Sequence, residues 1–175
     1  MYNKLFADIM RFVALILFQL FIVDNIRLGY YIHPVVYILF ILLMPYNAQR
    51  WQVMLAAFGM GMIIDFFSGT PGLNAAAAVA TSYVRHFVIV IMTRKSDLEE
   101  KYNPSLVEMG FTWFFTYSSI LLCVYNLVYF MLEAFSFKLL NIILLQTLLS
   151  TLSSVALILL IMLIFIPKSN LTLNK

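Results

Sequence analysis

The chain is poor in charge. Only 11% of its 175 residues are Asp, Glu, Lys or Arg, against about 25% in an average soluble domain. A soluble domain of this size needs a charged, mixed surface, and this composition cannot supply one. It therefore argues against a soluble enzyme and against a disordered tail. Cysteine is nearly absent as well. Cys123 stands alone, so no disulfide or thiolate cluster can form within one chain. Two histidines, His33 and His86, are too few and too far apart to build a metal site with the acids. No H-E-x-x-H, P-loop, G-x-S-x-G or G-x-G-x-x-G occurs. Catalysis, cofactor and metal thus have no support in the sequence.

Apolar residues are plentiful. They make up 63% of the chain, and mean hydropathy is +0.96. One membrane-spanning helix takes about 20 residues. The expectation is an all-α polytopic membrane protein, a single domain over residues 1–175 with about six transmembrane helices. The predicted spans are 5–23, 30–44, 51–67, 73–92, 110–132 and 138–166. The second is short, with Pro34 near its start and Pro45 at its end. The first resembles a signal peptide. Asp8 and Arg11 interrupt its apolar run, however, and no small-residue cleavage site closes it, so it is read as an uncleaved span.

Net charge is +3, which in a membrane protein reflects loop Lys and Arg and not a nucleic-acid footprint. With six spans, one side receives Lys4, Arg11, Arg50, Arg94, Lys95, Lys101, Lys168 and Lys175, and the other receives Arg27 and Lys138. Basic loops mark the cytoplasmic side. Both termini are expected there.

Residues 56–87 read AAFGMGMIIDFFSGTPGLNAAAAVATSYVRHF. Ala57, Gly61 and Asp65 recur at four-residue spacing on one helix face. Small residues at that spacing let helices approach closely in lipid. Ala75–Ala78 thin the start of the next helix. Two readings stand side by side. One is a tight hairpin in which Asp65 caps the turn or the next helix. The other is a binding site beside the Gly69–Gly72 break, either a partner groove along Ala57–Gly61 and Ala75–Ala78, Ala76 and Ala77 included, or a pocket with the polar groups Asp65, Thr70, Asn74 and Tyr83. A single-span partner would lie along Gly61 and Ala76 or Ala77. Asp8, Arg11 and Arg85 are expected at similar depth. They either pair or snorkel to the headgroups. Thr147, Ser150, Thr151 and Ser154 share one face of the last helix and read as a packing seam. Ile158 is expected to face lipid.

Gly61-x3-Asp65 followed by SGTPGLNAAA resembles the MreD family, the rod shape-determining membrane proteins of bacteria. The matching positions are Gly61, Asp65, Gly69, Gly72 and Ala75. The resemblance implies a non-enzymatic subunit of the cell-elongation machinery in the bacterial cytoplasmic (inner) membrane. Its partner would be an MreC-like single-span protein. Through it the chain would reach RodA, a penicillin-binding transpeptidase and MreB filaments in sidewall peptidoglycan synthesis. The family is also similar in helix layout to the substrate-binding S components of energy-coupling-factor vitamin transporters. Such an S component is the alternative reading.

Overall fold

In a computed structural model of the chain, residues 2–25, 32–93, 104, 109–135 and 140–165 are described. Among them the secondary structure is helical, and no strand occurs. Helix α1, Tyr2–Phe18, passes into a π-helical turn, Gln19–Val23. A short helix α2 covers Leu39–Leu43. Helix α3 is Arg50–Ser68, α4 Leu73–Met92, α5 Phe111–Ala134 and α6 Leu140–Phe165. The last four are long and apolar enough to cross a membrane, and Ile9–Val23 is a shorter apolar helix. The protein is an all-α polytopic membrane bundle.

The helices α3 to α6 pack in chain order, each chiefly on the next, and α1 touches the bundle more lightly through α2 and α3. The packing is inverted relative to a water-soluble protein. Leu144, Leu145, Leu148 and Leu152 of α6 are exposed, while Thr147, Ser150, Thr151 and Ser154 are buried. Phe66 and Ile91 are each 82% exposed. Lipid tails are as apolar as Leu, so large apolar side chains can face outward without penalty. Helix contacts then rest on close packing and hydrogen bonds. Ile158 departs from expectation. It is fully buried, because it continues the Ser150–Ser154 face by one further turn.

The predicted second span also departs from expectation. The described part of 30–44 is not one helix. Residues 32–36 have no regular structure, and only Leu39–Leu43 is helical. Pro34 removes an N–H and disfavours helix at His33. The N–H groups of His33 and Val35 donate to Ser150 Oγ (3.0 Å) and Ser154 Oγ (2.8 Å). Two residues of this segment thus match one turn of α6. That holds only for an extended chain, since extended residues rise about 3.3 Å and helical ones 1.5 Å. Laid end to end, residues 32–43 cover roughly 27 Å at those rises, close to the ~30 Å hydrocarbon core.

Candidate functional site

Among the described residues, three polar arrangements inside the bundle hold backbone that the helices leave unsatisfied. The first is at Asp65. Gly69 (φ 70°) and Gly72 (φ 80°) take left-handed conformations that end α3 and begin α4, which glycine adopts without a Cβ penalty. Gly72 has no side chain to cap α4. The Asp65 carboxylate caps it from the preceding helix. Its Oδ1 accepts from Asn74 N (3.0 Å), Asn74 Nδ2 (3.0 Å) and Thr70 Oγ1 (2.7 Å), and Oδ2 accepts from Ala75 N (2.9 Å). An anion at a helix N-terminus meets the positive end of its dipole. The chain of bonds continues. Tyr125 Oη donates to Asn74 Oδ1 (2.5 Å), so the Tyr37 hydroxyl donates to Tyr125 (2.8 Å). Asp65 is thereby linked through α4 and α5 to the segment before α2.

The second arrangement holds the extended segment. Besides Ser150 and Ser154, Gln19 contributes both ends of its amide. Its Nε2 donates to Pro34 O (3.1 Å) and to Asp24 Oδ1 (2.7 Å), and its Oε1 accepts from Val36 N (2.8 Å). Gln19 opens the π-helical turn, in which Asp24 N donates to Gln19 O. Irregular backbone at membrane depth persists only where protein or water satisfies it. Here side chains from the π-helical turn and α6 do so.

The third is at Arg85, which is buried. Its Nε donates to Tyr117 Oη (3.0 Å), and its Nη2 donates to the Met44 carbonyl. Tyr117 Oη donates in turn to Leu42 O (3.2 Å). A cation and a hydroxyl thus cover the C-terminal carbonyls of α2, the negative end of that helix.

The predicted residues divide accordingly. Ala57, Gly61 and Ala77 are buried in the bundle, whereas Ala76 is exposed. A Cβ on Gly61 would sit 2.6 Å from Ala75 N and 2.9 Å from the Asn74 carbonyl carbon. The chain's own α4 therefore fills the space at Gly61, and Gly61 and Ala76 share no groove. Arg85 neither snorkels nor lies at the surface; α2 occupies it. Arg11 is exposed, and the Asp8 side chain lies outside the described residues. Tyr83 is exposed and packs on Phe87. Sequence reasoning missed Gln19, Tyr37, Tyr117 and Tyr125. Gln19 carried a signal, as a lone amide within an apolar run.

One cavity of about 1200 Å³ opens between α1 and α3. Its walls are apolar, with Phe12, Ile16 and Leu17 on α1 and Ile63 and Phe67 on α3. Its far end is polar, where Asp24, Asn25, His33, Ser68 and Thr70 converge. The His33 ring stacks on Tyr129 at 5.2 Å. Its Nδ1 is buried without a hydrogen-bond partner among the described residues. Of the polar groups expected to line a pocket here, only Thr70 does so. Asp65 and Asn74 are enclosed in the hairpin. Among the described residues no group of His, Cys, Asp and Glu could hold a metal. No family model, curated protein or solved structure matches this chain.

Proposed function

We propose that the chain is a non-enzymatic membrane subunit of the bacterial rod complex, working as a rigid platform for a single-span partner of MreC type. The observation that carries this reading is the Asp65 hairpin. The residues behind the MreD resemblance, Gly61, Asp65, Gly69, Gly72 and Ala75, form one unit in which α3 and α4 are locked together. Asp65 and Asn74 face into that lock, where a solute cannot reach them. A platform needs such rigidity, since packing and a few hydrogen bonds are all that joins helices in lipid. The membrane would be the cytoplasmic (inner) one, with both termini in the cytoplasm. RodA, the penicillin-binding transpeptidase and MreB would be reached through the partner.

Co-expression with an MreC-like protein from the same cell, followed by pull-down from detergent, tests the proposal. Specific co-purification and loss of rod shape on depletion are expected. Normal shape after depletion would overturn it. The cavity favours a second reading, the S component of a vitamin transporter. That reading requires saturable binding of a water-soluble vitamin by the purified chain.

A further inference from the structure

We propose that the cavity between α1 and α3 is a lipid site that selects a primary-ammonium headgroup, as in phosphatidylethanolamine. Three observations carry this. The cavity, about 1200 Å³, exceeds the ~300–1,000 Å³ typical of compact small-molecule sites. Its apolar wall follows α1 from Phe12 to Phe21, about 13 Å at helical rise. A long apolar trough of that kind fits an acyl chain.

The polar end is rich in acceptors. Gln19 occupies only Oδ1 of Asp24, which leaves Oδ2 open among the described residues. Asn25 directs its Nδ2 to the Leu20 and Phe21 carbonyls, which leaves its amide oxygen. The Thr70 hydroxyl donates to Asp65 and accepts from Asn74 Nδ2 (3.0 Å), which leaves it one lone pair. The His33 ring, stacked on Tyr129, closes this end of the cavity. An ammonium supplies three donors and a positive charge. A trimethylated choline supplies the charge and no donor, and a glycerol headgroup supplies no cation. The carboxylate and its neighbours therefore discriminate among these lipids by chemistry. This inference does not depend on the rod-complex reading.

The test uses the full chain in phosphatidylcholine nanodiscs that carry phosphatidylethanolamine and phosphatidylglycerol as minority lipids. Native mass spectrometry of the released protein reads the lipid retained. Phosphatidylethanolamine is expected to be held about tenfold over either competitor, the worth of one hydrogen bond to a charged group. Asp24→Asn should bring it to parity with phosphatidylcholine. Leu17→Trp should fill the trough and abolish retention, and Leu152→Trp on the exposed face of α6 should leave it unchanged. Because Asp24 also holds Gln19, thermal unfolding in phosphatidylcholine checks the fold. If Asp24→Asn unfolds, Asn25→Leu takes its place with the same expectation. Equal retention of all three lipids, a preference for phosphatidylglycerol, or undiminished retention in Leu17→Trp would overturn the proposal. So would binding of free ethanolamine as tight as that of the lipid, which would mark a solute site instead.

Discussion

Asp65 accepts four hydrogen bonds while only 5% exposed. A carboxylate left in lipid would be a cost that substitution relieves. In this setting the opposite sign is expected. Asp65→Leu should destabilise by about 3 kcal/mol, since it strips the start of α4 of bonds to a charged acceptor. Thermal unfolding in detergent measures it, and a gain in stability would refute the capping role. Gly61 sets a second expectation. Even Gly61→Ala places a methyl group against the backbone of Ala75, and overpacking of that kind costs roughly 1–3 kcal/mol. Ala76→Leu, at an exposed position, should be nearly neutral. A lower level of Gly61→Leu protein would therefore report a disturbed fold, and loss of a partner in that variant would not locate a groove.

Among the elements, the non-helical segment 32–37 is the most demanding. Its N–H groups at His33 and Val35 rest on Ser150 and Ser154, and that of Val35 is buried. Ser154→Ala should cost about 1–3 kcal/mol, the penalty of leaving a buried donor unsatisfied. Ser150→Ala should cost less, because His33 is half-buried. Thr147→Val is the control on the same stripe. The Thr147 hydroxyl has no partner among the described residues, so its loss should not destabilise. Equilibrium unfolding in mixed micelles ranks the three. Equal effects would return the stripe to a simple packing seam. The π-helical turn belongs to the same element. It begins at Gln19, the residue whose amide holds Pro34 and Val36. Local π-helical turns frequently accompany such special contacts.

For the whole molecule, the basic bias predicts both termini and the 94–101 loop on the cytoplasmic side. A cysteine placed at Ser96, after replacement of Cys123, should resist an impermeant reagent in intact cells and react once the membrane is opened. Labelling from outside would invert the topology. The long helices lie within a residue or two of the positions that hydropathy alone predicts, and α4 has the predicted bounds, Leu73–Met92. Hydropathy is legible because each long helix must present apolar side chains to lipid whatever its neighbours are. The Asp65 cap was also legible, as one of two readings, since its spacing from Gly61 and from the SGTPG turn is local.

Composition and local spacing determined that this chain is a helical membrane bundle, where its long helices lie, and that a hairpin turns at residues 69–72. Those properties depend on the solvent each segment meets and on a few adjacent residues. Tertiary structure alone decided that Gly61 faces Ala75, that Arg85 covers the end of α2, and that Gln19, Ser150 and Ser154 hold an extended segment. These pairings join residues from 14 to about 120 positions apart. A buried backbone group accepts any donor or acceptor of suitable geometry, and sequence does not say which distant side chain will arrive.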